Sequence, residues 1–507
     1  MAMAKEFIVA IELASSKVTG IAGKKNLDGS ISVLAVVQED SSAYIRRGVI
    51  YNIDKTMLAL KNIKKRLETQ LRTKIQQVYV GVGGQSILGV RNVIVKDLPA
   101  ESVVDHNMVN ELMDANRAMN YPDQEILDAI TLEYKVDSQL QIDPVGIQCT
   151  RLEGNFLNIL WRKTFYRNLN KCFETAGISI AEMYLAPLAL ADGVLAEAER
   201  RAGCVLVDLG ADTTTVSVYY KNVLRHLAVV PLGGTNITRD IASLQMEDSE
   251  AERMKLKYGC AYTANGDIDN DEMYPIDAER NVESRKFIEI VEGRLDEIVE
   301  NVWYQVPAEY ADKLLGGIIL TGGGANMKNI EQAFRNRTRI EKIRIARSVS
   351  QTIDATQPEV TAQDCRLNTV LGLLAKGDMN CAGDEITNDL FNTDDPPTQD
   401  VVAEAGRSQR GQQGQGIVQT EAEKREAEEE ERRKREEEEE AKRLEEMARQ
   451  EEERKAKKEN SFFHKVGKTL KKFVKSAISE EEQGLKVKRF IRFEGPKVYK
   501  VNNRKKR

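Results

Sequence analysis

The sequence predicts an α/β protein of two lobes, with a phosphate-binding cleft between them and a small α+β insertion in the first lobe. Three stretches carry that expectation. Cys204 to Tyr220 opens with the apolar run Val205-Leu206-Val207 and stops at Asp208. It then passes Gly210, Thr213 and Thr214 and resumes as alternating β-branched residues. That pattern reads as strand, tight turn, strand. Phe7 to Ala22 repeats it, with an apolar run to Ile11, then Glu12, Ala14, Ser15, Ser16 and Lys17, and a second strand. Gly317 to Met327 is a third apolar strand, which runs into Gly322-Gly323-Gly324, and a helical pattern follows over Asn329 to Phe334. Gly210 lets backbone N–H groups approach an anion. Thr213 and Thr214 add hydroxyl donors. Asp208, at the end of a buried strand, is placed to hold a metal through its water shell. One Asp-x-Gly turn fits an ordinary hairpin as well. Two hairpins of one design followed by strand, triple glycine and helix are far more specific.

Length and composition bound the rest. A chain of 507 residues exceeds one core. Charged residues make up 30%, concentrated in one late block, and the net charge of −6 gives no nucleic-acid signature, so no nucleic acid is expected as a partner. The 6 Cys form no C-x-x-C pair and read as reduced core thiols of a cytosolic protein. With 3 widely spaced His, an imidazole metal site is not expected. The first residues lead straight into a strand, so no signal peptide is expected. No apolar run reaches the ~18 residues of a membrane span.

In chain order, residues 1–84 form the first part of lobe one. Asp54 is the expected N-cap of a helix whose Leu60, Ile63, Leu67 and Leu71 share a face. Residues 85–165 are the insertion, with a helix around Val109 to Met119, strands near Ala129–Val136 and Phe156–Trp161, and a turn at Pro144-Val145-Gly146. Lobe one resumes over 166–200. Lobe two begins at 201–240, where Gly233-Gly234 turns a strand into a helix whose N-terminus is a second anion site. A polar helical subdomain spans 241–316. The triple-glycine motif lies in 317–361, and a small-residue helix in 362–380 closes lobe one. Residues 381–420 are rich in Asp, Asn, Pro, Gln, Gly and Ser and read as a disordered linker. Residues 421–459 are almost only Glu, Lys, Arg and Ala, with many acid-first i, i+4 pairs such as Glu428–Arg432. They read as a lone solvated helix or a disordered charged spacer.

Strand, phosphate turn and strand, twice, followed by a glycine-walled turn are the nucleotide elements of the actin and sugar-kinase ATPase fold. Within it, Phe7 to Gly377 resembles the FtsA family of bacterial cell-division proteins. Glu12, Pro144-Val145-Gly146, Lys255 to Cys260, Leu320 to Gly324 and Thr369 to Leu374 carry the resemblance. The insertion occupies the place of the FtsA subdomain called 1C. The family implies ATP and Mg²⁺, polymerisation into filaments under the membrane, anchoring of the tubulin-like FtsZ ring and recruitment of later division proteins. By position, Ser15, Ser16, Lys17, Gly210, Thr213 and Thr214 are implied at the phosphates, and Gly233 and Gly234 near ribose and phosphates. Glu252 and Lys255 would flank the adenosine, and Gly322, Gly323 and Gly324 would wall it. Glu12 and Asp208 would orient Mg²⁺ through water. Arg294 and Glu297 resemble the family's contact with the FtsZ tail, with a solvated helix face as the alternative. Ala14 stands where this superfamily usually carries Gly, so the resemblance implies ATP binding with at most weak hydrolysis. The alternatives are a pilus-assembly scaffold like PilM and a phosphotransferase on the same fold.

The charged block leads into residues 460–482. At ~100° per residue, Phe462, Phe463, Val466, Leu470, Phe473 and Val474 fall on one face and five lysines on the other. A basic amphipathic helix too short to span predicts in-plane attachment to anionic lipids of the inner membrane, at the division site. The tail 483–507 is basic and alternating. It fits an added strand, a membrane patch or a nucleic-acid arm.

Overall fold

A strand can be apolar without interruption only where both of its faces are buried, and β13 (Cys204–Leu209) illustrates this. Cys204 and Leu206 face one hydrophobic core, while Val205, Val207 and Leu209 face a second. The first core is built largely from lobe one and the second from lobe two, so β13 is the partition between them. Asp208 shares a face with Leu206 and therefore looks toward lobe one.

The computed structural model describes residues 6–269, 271–385 and 498–500. Lobe one starts with β1 (Ile8–Leu13), β2 (Lys17–Lys25), β3 (Ile31–Asp40) and a small hairpin of β4 (Ile45–Arg46) and β5 (Val49–Ile50). Helix α1 (Ile53–Leu71), β6 (Thr73–Ile75) and β7 (Gln77–Val82) follow. The insertion comprises β8 (Ile87–Val103), α2 (His106–Arg117), β9 (Gln124–Val136), β10 (Gln139–Gln141) and β11 (Gln148–Arg162). Lobe one resumes with α3 (Lys163–Ala176), β12 (Ser179–Leu185), α4 (Ala186–Val194) and α5 (Glu197–Ala202). After β13 come β14 (Thr214–Tyr220), β15 (Val223–Val230), α6 (Gly234–Ala242) and α7 (Asp248–Tyr258). The chain continues through β16 (Met273–Pro275), β17 (Asn281–Glu283), α8 (Ser284–Tyr304), α9 (Ala308–Ala311), β18 (Gly317–Thr321), α10 (Ile330–Thr338) and β19 (Ile343–Ile345). Finally β20 (Ile353–Asp354), α11 (Pro358–Thr361), α12 (Asn368–Lys376) and β21 (Ala382–Glu385) lead back to lobe one.

The two lobes repeat one topology. β1 pairs antiparallel with β2 and parallel with β7. β13 pairs antiparallel with β14 and parallel with β18. The full orders are β12-β7-β1-β2-β3-β20 and β15-β14-β13-β18-β19. Each phosphate-sized turn thus joins a central strand to its antiparallel neighbour. Helix α12 packs on β1 and α4, with Val370, Leu371, Leu373 and Leu374 in the lobe-one core, as a closing helix should.

The insertion has its own small core, including Ile94, Leu112, Tyr134, Leu152 and Phe156. Its α2 is pinned to the sheet by three buried asparagines. Asn92 Nδ2 donates to Asn116 Oδ1 at 2.8 Å, and Asn116 Nδ2 to Asn158 Oδ1 at 2.7 Å. The insertion also touches lobe two. Arg225 of β15, 2% exposed, donates to Leu132 O at 3.3 Å and to Glu133 Oε2 at 3.1 Å. Arg91 of β8 pairs with Glu309 and lies over the Tyr310 ring.

Several boundaries differ from the sequence reading. The cap of α1 is Asn52, whose side chain accepts from Lys55 N at 3.0 Å, and Asp54 lies inside the first turn. The linker does not begin at 381: Cys381 is buried and β21 pairs with β6. The helical subdomain also holds the β16–β17 hairpin. In the tail, β22 (Val498–Lys500) pairs parallel with β8 and extends the insertion sheet. The charged block 421–459 and the amphipathic stretch 460–482, with Phe462, Phe463, Val466, Leu470, Phe473 and Val474, lie outside the described residues. Among the described residues no helix is long and apolar enough to cross a membrane.

Candidate functional site

A cavity of about 1140 Å³ lies between the lobes, at the ends of β1, β13 and β18. Glu12, Ser15, Ser16, Lys17, Asp208, Gly210, Thr213, Gly233, Gly234, Glu252, Lys255, Gly322, Gly323 and Gly324 all line it. Thr214 does not. It pairs across the hairpin with Leu209, is fully buried, and its hydroxyl donates to Leu232 O at 2.9 Å. Thr215, which sequence reasoning passed over, pairs with Asp208 and faces the cavity. Strand parity decides this: successive residues alternate faces, so the hydroxyl on Asp208's face is that of its cross-strand partner.

Glu12 and Asp208 meet in the cavity from opposite lobes. Burial pushes both carboxyls up; the charge of Asp208 adds to the shift of Glu12, and a hydrogen bond from Thr369 of α12 opposes it. Two buried carboxyls facing one cavity, near enough for the charge of one to act on the other, favour a bound cation. Among the described residues no group of three or more His, Cys, Asp and Glu could hold a metal. A pair of carboxylates fits Mg²⁺, which keeps several waters and takes one or two protein carboxylates beside phosphate oxygens. Bound there, Mg²⁺ would neutralise phosphate charge, with Glu12 and Asp208 holding its water shell.

The glycines are demanded by close approaches. Gly322 has φ 81°, and a Cβ on it would lie 2.3 Å from Asp208 Oδ1. A Cβ on Gly233 would lie 2.4 Å from Ala211 O. Gly323 has room, since the nearest atom to a Cβ would be Arg366 Cγ at 3.7 Å. Asn326 Nδ2 ties the triple-glycine turn to Asp364 O at 2.6 Å.

On the other wall, Lys255 Nζ donates to Glu252 at 2.6 Å, to Thr238 Oγ1 at 2.8 Å and to Gly234 O at 3.1 Å. This network locks α7 to the first turn of α6. Lys17 Nζ is turned to Gln38 at 3.2 Å. Arg294 is already engaged: its Nε donates to Asp240 Oδ2 of α6 at 2.5 Å, and it also pairs with Glu297. It clamps α8 to α6.

A family model described as "Cell division protein FtsA" matches residues 205–372, and one described as "SHS2 domain inserted in FTSA" matches residues 84–160, the insertion. The chain is 32% identical over 332 residues to cell division protein FtsA of Porphyromonas gingivalis, covering 64% of this chain and 69% of that protein. This chain belongs to the FtsA family of cell division proteins. FtsA of Neisseria meningitidis is 30% identical over 340 residues, covering 65% of this chain and 81% of that protein. FtsA of Bacillus subtilis is 30% identical over 348 residues, with 66% and 78% covered. Among solved structures, the PilM–PilN type IV pilus biogenesis complex matches with a TM-score of 0.53 at 15% identity, covering 72% of this chain and 97% of that one. That likeness is one of fold, and the fold is the actin-like one expected from the two hairpins.

Proposed function

We propose that this protein binds ATP with Mg²⁺ in the interlobe cavity, polymerises at the inner face of the cytoplasmic membrane, tethers the FtsZ ring there and recruits later division proteins. The observation that carries the nucleotide part is the Glu12–Asp208 pair, facing between two matched hairpins. Ser15, Ser16, Lys17, Gly210 and Thr213 surround the phosphates. Gly233, Gly234, Glu252 and Lys255 line the ribose and adenosine side, opposite Gly322 to Gly324. Family membership supports the division role. A phosphotransferase would need a further carboxylate base beside a closed acceptor pocket; Asp40 lines the cavity opposite Lys17, but its carboxylate accepts from Ser42 N and Ser42 Oγ, and the FtsA matches disfavour that reading. The fold likeness to PilM leaves a pilus scaffold as a second reading, which the FtsA matches disfavour.

Capture on the FtsZ tail peptide tests the tether. Parent protein should be retained, and Arg294→Glu should release it by breaking the α6–α8 clamp at that surface. Retention on a pilus-component peptide instead would overturn the division reading. For the membrane, Phe473→Glu should abolish co-sedimentation with anionic vesicles, whereas added salt should only weaken it. Unchanged sedimentation of that variant would remove the 460–482 stretch as the anchor.

A further inference from the structure

The β4–β5 hairpin is closed by a two-residue turn, Arg47-Gly48, with φ of 52° and 72°. Left-handed φ at both central residues makes it a type I′ turn, the tightest link between two strands. It is built into hairpin one. Gly48 N donates to Ser15 Oγ at 2.8 Å, Ser41 N to Ser16 O at 3.1 Å, and Ser41 Oγ to Ala14 O at 2.6 Å. Gly84 supports it from below, so closely that a Cβ on Gly48 would lie 2.5 Å from Gly84 Cα. The tip crosses to the other lobe: Arg47 N donates to Asp212 Oδ2 at 3.1 Å. Asp212 lies in the β13–β14 turn, yet it is not among the residues lining the cavity.

We propose that this turn is a positioning element that fastens the two phosphate hairpins to each other and senses phosphate through Ser15. The inference rests on the nucleotide reading above and adds a regulating contact to it. The chemistry follows from donor and acceptor capacity. Ser15 Oγ accepts from Gly48, which leaves its O–H free to donate to a phosphate oxygen. A phosphate that engages Ser15 therefore holds the turn in place, and the turn holds Asp212. The charge-assisted bond to Asp212 joins lobe one to lobe two. Arg47 adopts left-handed φ without being glycine, a conformation that persists only where surrounding contacts fix it. Asp212 thus acts through the backbone of Arg47 and not on the nucleotide.

The test is the release rate of a fluorescent ATP analogue with Mg²⁺, with hydrogen exchange of residues 44–50, in the full chain. Asp212→Ala should release the analogue roughly tenfold faster, about the worth of one charge-assisted hydrogen bond. Asp212→Asn, which keeps the acceptor oxygen without its charge, should recover about half of that loss. ATP should slow exchange over 44–50 in the parent and fail to do so in Asp212→Ala. Parent-like release from Asp212→Ala overturns the proposal, and so does a parent whose 44–50 exchange ignores ATP, a result that needs no variant. A parent that binds no analogue sinks the nucleotide reading itself, and the inference with it. A parent that binds normally while Asp212→Ala behaves identically leaves that reading standing and removes only the turn.

Discussion

Neighbouring glycines in the triple-glycine turn differ in what they tolerate. Gly322→Ala forces a methyl against the Asp208 carboxylate at a positive φ, whereas Gly323→Ala meets nothing closer than 3.7 Å. We expect Gly322→Ala to cost roughly 1–3 kcal/mol of stability and to abolish ATP binding, and Gly323→Ala to leave stability nearly unchanged. Urea melts and nucleotide titration of the two variants check this, and equal behaviour would refute the assigned geometry. His226 gives a pH prediction. Burial, reinforced by the charge of Arg91, lowers its pKa to about 4, so it is neutral in the fold. The unfolded chain takes up that proton below about 6.5. Stability is therefore fully present above pH 6.5 and falls toward pH 4, by at most about 1.4 kcal/mol per unit. His226→Gln should flatten that part of the pH–stability curve. At this scale the sequence was legible where a strand end or a close approach dictates the placement, as with Asp208 and the glycines that line the cavity. It was not legible where parity decides, as with Thr214 and Thr215, or where a partner comes from afar, as Thr369 does for Glu12.

Among the elements, α2 depends on polar atoms that no periodicity reveals. Asn116 is fully buried and serves Asn92 and Asn158 together. Asn116→Leu should strand both partners and weaken the insertion by about 2–4 kcal/mol. Hydrogen exchange should rise across residues 87–162 while β1 and β13 keep parent protection; uniform exchange across the chain would refute a separate insertion core. The strands β1, β13 and β18 could be read because they are buried on both faces and form unbroken apolar runs. The β4–β5 hairpin could not, since its strands are two residues long and its turn carries Arg-Gly instead of Asn-Gly. The start of the linker was misplaced because β21 is short and polar, and only its pairing with β6 makes it a strand.

At the scale of the molecule, a ligand between the lobes touches elements from both cores. MgATP should therefore stabilise the whole body, by about 2.7 kcal/mol at a hundredfold excess over Kd. Calorimetry with ATP should show a rise in melting temperature that EDTA reduces and that Asp208→Asn no longer loses to EDTA. A rise indifferent to Mg²⁺ in the parent would refute the Glu12–Asp208 assignment. The insertion has a place in this picture too. Arg225 and Arg91 clasp it to lobe two, while Leu157, Ile159 and Trp161 root it in the core of lobe one. A subdomain riding on one lobe would be indifferent to the angle between them. Clasped by both, it cannot follow one lobe without straining its contacts to the other. The angle of the cleft is thereby tied to a third body, whose own core must yield before the two lobes can part.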